Sequence, residues 1–249
     1  MDLSNRIALV AGGTGRLGTS IAQALAGAGA DVAISYLERA DAAKESCAAV
    51  EALGRRAWSV ALDQTDADAI PIAIDAVVKH FGRLDALVNN AGWNISIPYP
   101  DLEALDPATW DRLFSTNLRG PYLLCRAAAP HLKASGAGRI VNIASVAGLN
   151  PGGSSIGYAT SKAGLIHLTR CLAVALAPNV TVNCVAPGLM DGTRMTSRLR
   201  PEIVQGALQR AVLHRAARVE DIADQVVAFC RNESVTGQVL NIDSGVFFH

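Results

Sequence analysis

The chain has 249 residues, half of them hydrophobic, with Lys+Arg and Asp+Glu at 22 each and a formal net charge of zero. That length and apolar share suit one large core in a single domain spanning residues 1–249, and they exclude a disordered chain. The charge balance argues against nucleic acid or an anionic membrane surface as a partner, because either draws its affinity from a basic surface.

The first six residues lead into a five-residue apolar run and then glycines, so the N-terminus reads as mature structure and not as a signal peptide. Strand-like runs follow at 7–11, 31–36, 57–62, 86–89, 139–144, 181–185 and 239–242, and helical period marks 19–28, 40–53, 71–81, 112–132 and 158–177. Strands alternating with helices at this rhythm predict a parallel sheet covered by helices on both faces. The longest apolar tract, 165–177, is broken by His167 and Arg170 and falls short of a membrane span of about 20 residues, so a cytoplasmic location is expected. Cys47, Cys125, Cys171, Cys184 and Cys230 show no C-x-x-C spacing, which reads as free thiols in a reducing compartment. The histidines form no cluster, and no metal is expected.

The first strand runs into Gly12, and Gly13-x-Gly15-x-x-Gly18 then opens a helix. Glycines there permit close backbone approach, and a helix N-terminus offers amides and a favourable dipole to a pyrophosphate. The second strand ends in Ser35-Tyr36-Leu37-Glu38-Arg39. An acid at its end would bind the ribose hydroxyls of NAD and repel a 2′-phosphate, whereas here Ser35 and Tyr36 are neutral. Arg39, with Arg16 in the loop, points to NADP(H) as the preferred cofactor, with NAD(H) as the alternative. Arg39 and Glu38 read equally as a solvated helix start.

Tyr158 and Lys162 stand four residues apart on one helical stretch, so an ammonium sits beside a phenol. A neighbouring cation favours the phenolate and brings a group of pKa ~10 toward the range useful for proton transfer. Ser145, just past the fifth strand, supplies a hydroxyl for a substrate oxygen. These motifs, with Asp63, Asn89-Asn90-Ala91-Gly92, Asn117 and Pro187-Gly188, make the chain resemble the short-chain dehydrogenases/reductases over essentially its whole length.

The resemblance implies a Rossmann-type doubly wound parallel seven-stranded sheet, an NAD(P) cofactor, and a homotetramer or homodimer paired through the helices at 112–132 and 158–177. It makes Tyr158 the proton donor or acceptor. Lys162 lowers the tyrosine pKa and binds the nicotinamide ribose, Ser145 orients the substrate oxygen, and Asn117 anchors a water in a relay to Lys162. Gly12, Gly15, Arg16, Leu17, Gly18, Ser35, Tyr36, Arg39, Asp63, Asn90, Ala91, Gly92, Pro187, Gly188 and Thr193 fall on the cofactor side with Tyr158 and Lys162. Ala11 stands where the family usually has a threonine, and Arg16 stands where it usually has its middle glycine. The Arg16 variant resembles the pteridine-reductase branch. Thr193 comes one residue late after Pro187-Gly188, and Asp243-Ser244-Gly245 replaces Asp-Gly-Gly, a change read as structural.

Loops 93–100, 146–157 and 189–199 are expected to frame the substrate. They carry Trp93, Ile95, Ile97, Tyr99, Met190, Met195 and Leu199, walls suited to an apolar ketone or alcohol of small to medium size. Trp93 reads equally as a substrate contact and as an aromatic packing on its own loop. Arg194 and Arg198 beside Asp191 read as a solvated surface before they read as an acid-binding site. The activity expected is NADP(H)-dependent carbonyl reduction, including 3-oxoacyl thioesters. A pteridine reductase and a non-catalytic NADP(H) sensor are the alternatives.

Overall fold

The computed structural model describes residues 1–193, 196–199 and 201–248, residue 198 as backbone alone. Seven parallel strands form one sheet: β1 (Ile7–Ala11), β2 (Asp31–Tyr36), β3 (Ala57–Ala61), β4 (Ala86–Asn89), β5 (Gly138–Ile143), β6 (Val180–Pro187) and β7 (Val239–Ile242), in the order β3-β2-β1-β4-β5-β6-β7. The helices are α1 (Arg16–Gly27), α2 (Ala40–Glu51), α3 (Ala69–Phe81), α4 (Pro107–Phe114), α5 (Gly120–Ala134), α6 (Ile156–Leu176), α7 (Pro201–Arg210) and α8 (Val219–Arg231). This is the Rossmann-type doubly wound sheet expected, and its strand order reverses between β1 and β4, the place where such sheets open a crevice at their carboxyl ends.

Alternation along each strand feeds two cores. Ala8 and Val10 of β1 join Val32, Val88 and Val141 beneath α1 and α8. Ile7 and Leu9 join Ala33, Leu87 and Ile140 beneath α3, α5 and α6. Every residue of β1, β4 and β5 is buried, as strands covered on both faces must be.

The expected helix over 112–132 begins earlier and is interrupted. Asp106 caps α4 by accepting from Thr109 N–H at 2.7 Å, with Pro107 in the first turn. Between α4 and α5, Ser115–Arg119 forms one π-helical turn. Such turns cluster at functional sites, and this one carries Asn117. Likewise α1 starts at Arg16, ahead of the expected Thr19, because the glycine loop turns straight into it. No helix among the described residues is long and apolar enough to cross a membrane.

Candidate active site

The carboxyl ends of β1, β2 and β4 open on a cleft of about 700 Å³. It runs from Gly12, Thr14, Gly15, Arg16, Leu17 and Gly18, past Tyr36, Arg39 and Asp63, to Asn90–Asn94 and then to Tyr158, Lys162, Met190 and Thr193. Most of the predicted cofactor-side residues therefore share one wall. Pro187 and Gly188 do not line it. A Cβ at Gly188 would stand 2.6 Å from Asp243 Cβ, so this pair packs on the end of β7, where the Asp243 carboxylate accepts from Gly245 and Phe247 N–H. Arg194, Met195 and the Arg198 side chain lie outside the described residues.

The glycine loop is shaped by backbone contact. Gly12 has φ +75°, a left-handed conformation, and a Cβ there would meet Ala91 Cα at 2.7 Å. A Cβ on Gly18 would stand 2.7 Å from Gly13 Cα. Two side chains pin the loop. Asn90 Nδ2 donates to Gly12 O at 2.7 Å, and the Ser35 hydroxyl accepts from Gly12 N–H at 3.2 Å while Gly13 N–H donates to Ser35 O. Ser35, expected on the cofactor side, lines the cleft and is at the same time a buried peg holding the loop.

Gly15 differs from its neighbours. It is the N-cap of α1 with no side-chain cap and no acid in the first turn, and a Cβ there would meet nothing within 4 Å. The free amides of that first turn open on the cleft, and their charge complement is an anion. A dinucleotide pyrophosphate fits this seat. Arg39 Nη1 donates to Thr14 O at 3.2 Å, which puts a cation at the rim beside Tyr36. The Arg16 guanidinium occupies the space where a side chain at residue 192 would sit, and so bridges the glycine loop to the segment after β6. Asp63 holds its own turn by accepting from Thr65 N–H and Oγ1.

At the other end, Ser145 follows β5 and caps a short 3₁₀ turn, Val146–Gly148, by accepting from Ala147 N–H. Tyr158 lies in the first turn of α6, beneath Ser155, whose hydroxyl accepts from Tyr158 N–H at 3.2 Å. Tyr158 and Lys162 are both buried, with Lys162 Nζ 5.9 Å from the tyrosine ring centroid. Burial pushes the Tyr158 phenol above its ordinary value, and a hydrogen bond with the Ser145 side chain opposes that rise. Burial lowers Lys162 to about 8 although Nζ donates to Ile143 O at 2.9 Å. Within the chain itself burial therefore dominates the phenol, and the downward pull expected from Lys162 does not.

Asn117, fully buried in the π turn, spends its amide on the backbone. Oδ1 accepts from Trp93 N–H at 2.8 Å, and Nδ2 donates to Trp93 O at 2.8 Å and to Ser161 Oγ at 3.1 Å. Trp93 both lines the cleft and packs in the apolar cluster around Tyr158, with the Arg112 guanidinium 4.2 Å from its ring centroid. Two residues that sequence reasoning missed complete the frame. Gln64 donates to Thr116 O at 2.7 Å and to Ala91 O at 3.3 Å, tying the π turn to the end of β4. Arg112 lines the cleft from α4. Gln64 follows Asp63 at the end of a strand, and that position was the only signal for it.

A sheet that reverses at β1/β4, an anion seat at the first helix, and a Ser–Tyr–Lys cluster at the same edge define an NAD(P)-dependent oxidoreductase. The short-chain dehydrogenase model matches residues 6–203, and the chain belongs to the short-chain dehydrogenase/reductase family. A protein of Streptomyces violaceoruber named as a ketoacyl reductase of the granaticin polyketide synthase is 40% identical over 242 residues, covering 96% of this chain and 95% of the relative. A 3-oxoacyl-acyl-carrier-protein reductase of Aquifex aeolicus is 35% identical and covers 99% of each chain. Among solved structures, a short-chain dehydrogenase of Burkholderia cenocepacia in complex with NADP superposes with a TM-score of 0.90 at 37% identity, over 99% of both chains.

Proposed function

We propose that the protein is an NADPH-dependent carbonyl reductase that acts on ketones, 3-oxoacyl thioesters among them, with Tyr158 as proton donor. The observation that carries this reading is the buried Tyr158 phenol hydrogen-bonded to Ser145 and flanked by Lys162. The phenol is protonated at neutral pH, and burial holds it further from ionising, so it has the form a proton donor needs when a ketone becomes an alcohol. A bound nicotinamide supplies the hydride to the substrate carbon. Ser145 holds the substrate oxygen, and Tyr158 Oη gives it a proton. Lys162, still cationic at pH 7 with a value of about 8, offsets the phenolate left behind. Lys162 then passes a proton to the Tyr158 phenolate, and Asn117, which fixes the Trp93 peptide beside this pair, would anchor the water that restores the proton to Lys162.

Gly12, Gly15, Leu17 and Gly18 would hold the pyrophosphate, Arg39 and Arg16 the 2′-phosphate side, Asp63 the adenine, and Asn90, Ala91 and Gly92 the adenosine ribose. Thr193, buried in the cleft wall, would stand on the nicotinamide side. The neutral end of β2 and the Arg39 rim favour NADPH over NADH. The ketoacyl reductase relatives favour a thioester or polyketide-type ketone. On the outer face, α4, α5 and α6 leave a hollow of about 750 Å³ lined by Phe114, Leu118, Tyr122 and Leu168, which supports pairing of two copies through these helices.

The test is NADPH oxidation at neutral pH with a short 3-oxoacyl thioester and simple aryl ketones. Turnover is expected, and Tyr158→Phe is expected to abolish it while leaving NADPH binding intact. Turnover that survives Tyr158→Phe, or tighter binding of NADH than of NADPH, would overturn the reading.

A further inference from the structure

Asn117 is not the only side chain that grips both peptide groups of a loop residue. Further along the same loop, the Tyr99 hydroxyl donates to Gly152 O at 2.5 Å and accepts from Gly152 N–H at 2.8 Å. Between the two clamps, Ile97 N–H donates to Ser154 O at 2.8 Å. The segment after β4 is thus fastened at Trp93 to the π turn, and at Ile97 and Tyr99 to residues 152–154.

What lies next to that second fastening is the catalytic phenol. Ser155, one residue on, is the N-cap of α6 and accepts from Tyr158 N–H. Gly153 runs across the Tyr158 ring: a Cβ on it would stand 3.4 Å from ring Cδ1 and 2.7 Å from Ala147 Cβ. The strap therefore meets Tyr158 twice, at the ring and at the start of its helix. A hydroxyl suits this place because it donates to a carbonyl and accepts from an amide at once. Phenylalanine would fill the same volume and do neither.

We infer that Tyr99 is a positioning residue for Tyr158: its hydroxyl straps residues 152–155 over the ring and so sets where the phenol stands opposite Ser145. The inference rests on the proton-donor role of Tyr158 proposed above. Around the phenol, Lys162 from its own helix and the Ser145 hydroxyl are the polar neighbours. Leu113, Ala147 and Trp93 supply apolar cover, and the Arg112 guanidinium lies beyond the Trp93 ring. Loosening the strap leaves these charges in place and admits water to the phenol.

The experiment compares the full-length wild type with Tyr99→Phe in two readouts. In steady-state kinetics on a ketone, Tyr99→Phe is expected to lower kcat about 10- to 100-fold, the scale of a small misplacement of a reacting group. KM for the ketone and the NADPH Kd should change less than threefold, and the solvent deuterium isotope effect on kcat should rise as proton transfer becomes limiting. In NMR of ¹³C-labelled tyrosine, with the Tyr158 signal assigned by its loss in Tyr158→Phe, the Tyr158 phenol should titrate at lower pH in Tyr99→Phe than in wild type. An unchanged kcat with an unchanged Tyr158 titration would overturn the inference. A wild type that reduces no ketone would instead overturn the proposed function, and the NMR titration would still decide whether the strap sets the phenol.

Discussion

Lys162 is buried, and its ammonium is held in a place that disfavours charge. Bringing a lysine from 10.5 to about 8 corresponds to about 3 kcal/mol of destabilisation at neutral pH, at about 1.4 kcal/mol per pH unit. Lys162→Met removes that cost while filling similar volume. It also leaves the Ile143 carbonyl, now bonded to Nζ at 2.9 Å, without its partner, a loss of about 1 kcal/mol. The net expectation is a variant more stable by about 1–2 kcal/mol, a Tm rise of about 2–8 °C for a domain of this size, and no catalytic turnover. The pH dependence has a defined sign. Below pH 8 the lysine is charged in both folded and unfolded chains, so the full deficit is present. Between about 8 and 10.5 the folded chain has shed a proton that the unfolded chain keeps, so wild-type stability gains on the variant as pH rises. Thermal unfolding without nicotinamide, at several pH values from 6.5 to about 10, measures this directly. A variant less stable than wild type at pH 7, or a gap that does not narrow above pH 8, would refute the reasoning.

Two glycines of the phosphate loop should separate folding from binding. Gly15→Ala places a methyl in open cleft at an extended backbone position, so Tm should fall by no more than about 2–4 °C, yet NADPH Kd should rise about 5- to 150-fold because the methyl occupies the anion's seat. Gly18→Ala drives a methyl into loop backbone and should lower Tm and affinity together. Thermal shift and fluorescence titration on the two variants test the pair, and a Gly15→Ala protein that binds NADPH normally would unseat the pyrophosphate assignment. Arg39→Ala should weaken NADPH about 10-fold or more while changing NADH little, since charged hydrogen bonds of this kind contribute about 1.5–3 kcal/mol. Equal losses for the two nucleotides would remove Arg39 from the 2′-phosphate site.

The central strands were legible in the sequence because burial on both faces leaves apolar runs with almost no polar interruption, and β1, β2, β4 and β7 fall on the expected residues. The glycine loop and the Tyr158–Lys162 pair were legible for a related reason: their chemistry depends on neighbours within a few residues. What periodicity could not see was set by contacts across the chain. The five residues Ser115–Arg119, three of them the weak helix formers Ser, Thr and Asn, carry no local mark of a π turn. Their π turn coincides with Asn117 reaching Trp93, 24 residues back, and with Gln64 reaching Thr116 O from 52 residues away. Ser35 was expected on the cofactor side because it lies at a strand end, and it lines the cleft while its hydroxyl also meets a loop amide of β1's own turn. The start of α4 did carry a local signal, Asp106-Pro107, outside the stretch where apolar spacing marked a helix.

Five polar side chains around the cleft share one physical task that local spacing does not reveal. A cleft built from strand ends and glycine turns exposes main-chain groups that must find partners, and Ser35, Asn90, Gln64, Asn117 and Tyr99 each give a side chain to such a group. Their bonds immobilise the loops on both sides of Tyr158 and along the phosphate wall. At the N-terminus of α1 no side chain does this, and the amides beside Gly15 stay free. A bound phosphate would fill that place on the cleft, so the proposed anion site would owe as much to the polar side chain withheld there as to the glycines themselves.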